Sequence, residues 1–214
     1  MRVRWIGLTL ALVAVGAAAG FGLGTLDDDG PATFATAAPV PASNPSIPVL
    51  PARPYTPDID YPPLATDLDY RVHGMGRPGY RWHYDVPAGW VPEEVSPLYE
   101  TRWRPADEPT VGGYSMRVKL VNEHRSNEEM VAEKEAAVTS IYDDVHVLAG
   151  TDDMLSFRYR EPTTNRKRYD TFVWFTPPDG ASAEFEMSVV GREVDRPGLD
   201  SLRDHVAASI EKVG

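Results

Sequence analysis

The sequence predicts an α+β domain, an antiparallel sheet of about six to seven strands sandwiched by two helices, preceded by a single N-terminal transmembrane helix and a disordered Pro-rich stalk. Three observations carry that prediction. Residues Trp5 to Leu26 run for 22 positions without a charge. Ten of the 20 prolines fall between Pro31 and Pro63. From Tyr80 onward, apolar residues alternate at the period of a strand, switch to helical spacing near Ser126, return to alternation, and end in a second helical stretch. The expected divisions are a membrane segment at 1–26, a linker at 27–63 and a globular domain at 64–214.

A helix rises about 1.5 Å per residue and the hydrocarbon layer is about 30 Å thick, so the first segment is long enough to span a bilayer once. Arg2 and Arg4 precede it and Asp27, Asp28 and Asp29 follow, which places the C-terminal domain outside the cytoplasm. Ala17 and Ala19 make a small-x-small pattern, so cleavage near Ala19 and secretion is the alternative. The apolar run continues past that point through Phe21, Leu23 and Leu26, which favours the uncleaved anchor. The chain has no cysteine, so disulfides, a lipobox and thiolate metal sites are excluded. From Asp27 to Pro63 the prolines alternate with Ala, Thr, Ser and Asn. Such a stretch cannot build a core, and fully extended it would reach roughly 110 Å.

Within the domain, Tyr80, Trp82, Tyr84 and Val86 alternate with Arg81, His83 and Asp85, the pattern of a half-buried strand. Pro87-Ala88-Gly89 turns the chain and Trp90 folds back as a plug. Leu98 to Arg104 and Tyr114 to Asn122 repeat the alternation, giving three antiparallel strands joined by turns. Ser126-Asn127-Glu128-Glu129 has the spacing of a capping box, and Met130, Val131, Ala137, Val138 and Ile141 form the apolar stripe of the helix it starts. Four strands follow, at Val145 to Leu148, Met154 to Arg160, Arg168 to Thr176 and Ala183 to Gly191. Their turns are expected at Gly150 to Asp153, Pro162 to Arg166 and Pro177 to Gly180. A last helix is expected from about Pro197 to Lys212.

The run Tyr-Arg-Trp-His-Tyr-Asp-Val-Pro-Ala-Gly-Trp at Tyr80 to Trp90 resembles the start of PsbP-like domains. Across roughly Tyr80 to Val213 the chain is most similar to exported actinobacterial proteins of the LpqN type. That resemblance implies an antiparallel sheet between helices and a non-catalytic domain that binds or scaffolds other molecules, with no catalytic residues to carry over. The chain departs from those lipoproteins in lacking the lipobox cysteine.

The residues themselves offer little chemistry. His83, His124 and His146 each stand within three positions of an acid, yet no H-x-x-x-H or H-x-H spacing exists. No G-x-S-x-G elbow is present. The paired acids Glu93/Glu94, Asp107/Glu108, Asp143/Asp144 and Asp152/Asp153 point to opposite faces wherever they lie in strands. We therefore expect no catalytic residue, no cofactor and no metal. A net charge of −11 argues against nucleic acid as a partner, and the preference for Arg over Lys suits a GC-rich bacterial genome.

Two groups of candidate partner-binding residues remain. Arg166, Lys167 and Arg168 form the domain's only basic run, a contact for an anionic partner or else a solvated hairpin tip. Phe172 and Trp174 break a face otherwise set with Arg102, Arg117, Lys119, Arg158 and Arg160 against Glu100, Asp170, Glu184 and Glu186. They are either covered by the terminal helix, the favoured reading, or exposed as a binding patch. The expected protein is a module of a bacterial cell envelope, anchored in the lipid bilayer and contacting another protein or a wall component. A ligand-binding sensor is the alternative, and an unrecognised hydrolase is a weaker one.

Overall fold

The computed structural model describes residues 53–96, 98–109 and 111–213. The expected membrane helix, Ala19 and the linker up to residue 52 lie outside these residues. Among the described residues no helix is long and apolar enough to cross a membrane.

The described residues form ten strands and two α-helices in the order β1 (Tyr70–Arg77), β2 (Tyr80–Pro87), β3 (Trp90–Ser96), β4 (Glu100–Pro105), β5 (Ser115–Leu120), α1 (Asn127–Ile141), β6 (Asp143–Gly150), β7 (Met154–Arg160), β8 (Lys167–Phe175), β9 (Phe185–Gly191), α2 (Arg196–Ser209) and β10 (Glu211–Lys212). A single 3-10 turn, Glu193–Asp195, precedes α2. The α+β class with antiparallel pairing and two helices is as expected. The strands divide into two sheets, however, one of three strands in the order β1-β2-β10 and one of seven in the order β3-β4-β5-β9-β8-β7-β6.

This division corrects the expectation that Tyr80 to Val86 pairs with the strand after it. β2 pairs instead with β1 and β10, and the chain crosses between sheets at Ala88-Gly89, where Gly89 takes φ 81°, a value glycine adopts without strain. Trp90 does plug the core, at 7% exposure, but it also opens β3, whose Pro92 and Glu93 hide the alternation. β1 was not expected either, because Gly74 and Gly76 interrupt its pattern. The last helix stops at Ser209, short of Lys212: Ile210 turns extended at ψ 122°, and Glu211 and Lys212 pair with His83 and Trp82 as β10.

The main core lies between the sheets. Trp82, Tyr84 and Val86 from β2 meet Trp103, Met116, Val118, Phe185 and Met187 of the large sheet, closed by Leu199, Leu202 and Val206 of α2. Burying each such side chain contributes about 1.5–3 kcal/mol. Trp103 Nε1 donates to the Tyr84 hydroxyl at 3.2 Å, whereas the buried Trp82 Nε1 has no hydrogen-bond partner among the described residues.

The second core lies on the other face. The capping box that starts α1 forms as expected: Ser126 N donates to Glu129 Oε2 at 2.8 Å and Glu129 N to Ser126 Oγ at 3.2 Å. Met130 and Val138 then pack with Leu155, Phe157, Phe172 and Trp174. Ile141, expected in the buried stripe, is 67% exposed. The helix ends at that residue, and Tyr142 takes the inward position, stacked on Tyr159 at 4.3 Å between centroids. β8 is buried on both faces, with Val173 in one core and Phe172 and Trp174 in the other.

Candidate functional site

Register fixes what each face of the large sheet presents. Arg168 lies opposite Tyr159, and Phe172 opposite Leu155; Trp174 lies opposite Glu186, and Glu186 opposite Lys119. Phe172 and Trp174 thus share the face of the charged residues, as alternation predicts. They are buried, at 7% and 0% exposure, but α1 covers them, and α2 packs on β2 and β9 across the opposite face. The expectation of cover by the terminal helix is corrected. α1 leads through one residue into the β6–β7 hairpin, and so short a connection keeps it beside the strands it feeds. The same register places Arg158 and Arg160 opposite Tyr169 and Lys167, on the other face from Arg117, which corrects their expected place on the charged face.

Beneath α1 the aromatic pair borders a group of charges. Trp174 Nε1 donates to Glu186 Oε2 at 3.0 Å. Lys134 of α1 reaches down to Glu186 at 3.7 Å and lies 4.1 Å from the Phe172 ring centroid. Asp170 keeps a rim of exposed surface, but its Oδ1 is enclosed and has no hydrogen-bond partner among the described residues. Burial pushes the Asp170 carboxyl up to about 7, against the pull of Lys134 and Arg168.

The two arginines of the basic run are committed to the chain's own backbone. Arg166 Nε donates to Pro57 O at 3.0 Å, and Lys167 Nζ stands 5.3 Å from the Tyr55 ring centroid. Arg168, 6% exposed, donates to Gly112 O at 2.9 Å and to Gly113 O. Between them in the fold, Asn165 takes φ 58°, turns the hairpin, and donates from Nδ2 to Pro54 O at 2.9 Å. Thr56 N donates back to Asn165 O at 2.9 Å. The tip is a seat for residues 54–57, which the expected linker boundary at Pro63 had left outside the domain.

A second seat holds the next residues. Arg192 donates from Nη1 to Ile59 O and Tyr61 O at 3.2 and 2.8 Å, from Nη2 to Pro62 O at 2.9 Å, and from Nε and Nη2 to Asp195 at 2.8 and 2.7 Å. All five guanidinium donors are used. Asp195 also accepts from Arg192 N at 2.7 Å and Leu64 N at 3.1 Å. The pair is buried at 1% and 0%, a cost met only because every polar atom is bonded. Its hydrogen bonds to Asp195 raise the Arg192 guanidinium further above its usual range. Gly198 lets the incoming chain lie against α2, since a Cβ there would stand 2.3 Å from Leu64 O. None of this was foreseen in the sequence, although Arg192 and Asp195 have the spacing of a local cap.

Two surfaces remain free for a partner. On β4 and β5 the charged face is half exposed: Arg117 pairs with Glu100 at 2.7 Å, Arg102 and Arg104 lie 3.7 and 3.8 Å from Glu93, and Lys119 lies 3.3 Å from Glu123. Glu108 is sunk beside this row at 8% exposure, and burial raises its carboxyl despite Arg102 and Arg104. The second surface is a cleft of about 340 Å³ where the β1–β2 turn meets the ends of β5 and β9, lined by Arg77, Tyr80, Tyr99, Leu120, Val121 and Glu184 among others.

The histidines are scattered. His73 packs edge-on to Trp103 and is lowered by burial, His205 Nε2 is 3.0 Å from Asp85, and His124 lies at the cleft. Among the described residues no three His, Cys, Asp or Glu are grouped to hold a metal. Comparison of the chain with family models, curated proteins and solved structures finds no match.

Proposed function

We propose that this chain is a non-catalytic binding or scaffolding module of a bacterial cell envelope, anchored in the bilayer by Trp5 to Leu26 and presenting its domain outside the cytoplasm. The observation that carries this reading is the half-exposed charged row on β4 and β5. Arg102, Arg104, Arg117 and Lys119 stand together there in a chain of net charge −11. These cations are interleaved with Glu93, Glu100 and Glu123, and a rigid sheet face displaying such half-exposed charges suits a partner whose own acids compete for the same cations, either a protein surface or an anionic wall polymer. The seating of residues 54–64 supports the tether, because a pull from the N-terminal side would meet the seat at Asn165 and Arg166 first and the buried Arg192–Asp195 pair next. Membership of the PsbP-like group is part of the proposal, supported by the Val-Pro-Ala-Gly-Trp turn whose Trp90 plugs the core and by one helix after the β4–β5 hairpin and one at the end.

The test uses the absence of native cysteine. A single Ser140→Cys on the exposed side of α1 should react with a membrane-impermeant maleimide in intact cells and fractionate with membranes. Labelling only after lysis would refute the orientation, and recovery from the medium would favour cleavage near Ala19. Crosslinking of intact cells should yield a reproducible adduct that Arg104→Glu with Lys119→Glu removes; an adduct untouched by that change would refute the charged row as the contact. The ligand-binding sensor reading rests on a separate observation, the cleft between the sheets, which has the concavity of a small-molecule site but no convergent acid and base groups.

A further inference from the structure

The cleft lies where the turn Pro78-Gly79 of the small sheet overhangs the ends of β5 and β9 in the large one. Its volume of about 340 Å³ falls within the range of ligand sites, about 300–1,000 Å³. Leu120, Val121 and Ala183 are buried at 7%, 2% and 2% and give it an apolar floor, with Tyr80 and Tyr99 as further lining.

The charges on its lining are unequal. Glu184 is already neutralised by Lys212, which β10 brings to 2.8 Å. The Arg77 side chain makes no hydrogen bond or ion pair among the described residues, and it is exposed where it lines the cleft. The Tyr80 hydroxyl contacts Val121 O and Glu184 O only at 3.5 and 3.4 Å, the outer limit of a hydrogen bond. It therefore has capacity for a closer acceptor. Burial first, then Glu184, pushes this phenol up to about 12, so it remains a donor at neutral pH.

An apolar floor with aromatic lining, one unpaired guanidinium and a poorly satisfied hydroxyl donor complement a molecule with a flat apolar body and one anionic end. We propose that the cleft binds a small aromatic carboxylate, its ring against Leu120, Val121 and Tyr80 and its carboxylate at Arg77. The assignment rests on the ligand-binding reading of the cleft and goes further by naming the class of ligand. A guanidinium can take a carboxylate in two parallel hydrogen bonds, which an uncharged amide of the same shape cannot match.

The test is saturation-transfer NMR and titration of the full chain in nanodiscs with 4-methylbenzoate and, separately, 4-methylbenzamide at pH 7. The acid should bind at least about tenfold more tightly than the amide, and Arg77→Ala should remove that preference, leaving weak, equal binding of both. Asn122→Trp, at an exposed position that would fill the cleft, should abolish both signals without lowering the unfolding midpoint. Equal binding of acid and amide to the wild type would overturn the anionic assignment and leave a neutral-ligand cleft. Binding of neither, or binding that persists in Asn122→Trp, would overturn the ligand-binding reading as well.

Discussion

The two halves of one sheet face behave as opposites. Along β7 and β8 the face carries Leu155, Phe157, Phe172 and Trp174, all buried beneath α1. Along β4 and β5 the same face carries Glu100, Arg102, Arg117 and Lys119, half exposed and paired with one another or with neighbours. The backbone geometry is the same in both halves. Side-chain size and polarity, together with the one-residue connection that holds α1 beside β6 and β7, decide which half is covered by a helix and which stays open, and of the two only the open half can meet a partner.

That contrast can be broken most severely where cover is made by the incoming chain. Asp195→Ala strands Arg192 at 1% exposure and should cost about 3–5 kcal/mol in chemical denaturation. Trp174→Ala, beneath α1, should cost about 3–5 kcal/mol by the same measurement, and it also leaves Glu186 without its indole donor.

Asp170 sharpens the contrast through pH. Burial raises it from 3.8 to about 7, so between those values the folded state holds a proton that the unfolded chain has lost. Its contribution therefore becomes destabilising as pH rises from about 4 and levels off above about 7. Asp170→Asn should gain about 1–3 kcal/mol over the parent at pH 8 and show little difference at pH 4, followed by urea unfolding at both values. The smallest effect is expected on the open half, where Arg102→Ala, across from a Glu93 side chain 55% exposed, should change stability by less than about 1 kcal/mol.

Much of the domain was legible where local patterns act alone. Alternation placed β2, β4, β5 and β7 to β9, the capping box placed the start of α1, and parity placed Phe172 and Trp174 on the charged face. What covered that pair was not legible from parity, because alternation assigns a side and says nothing of which helix lies there. β3 and β10 were missed for a different reason. Pro92 and Glu93 are poor strand residues held by pairing with β4, and Glu211 and Lys212 are extended only because β2 offers an edge. The basic run at Arg166 to Arg168 read as a partner contact, yet its acceptors are carbonyls of Pro57, Gly112 and Gly113, distant in sequence and invisible to any local pattern. The seat at Arg192 was hidden likewise, since its acceptors lie some 130 positions earlier.

The most direct measurement places a photo-crosslinking amino acid at position 119 on the open half, and in a second strain at exposed position 136 on the outer side of α1, and irradiates intact cells. A discrete adduct from 119 that is absent from 136 is the predicted result. No adduct from 119, or the same adduct from both positions, would contradict the assignment of the open charged face as the binding surface.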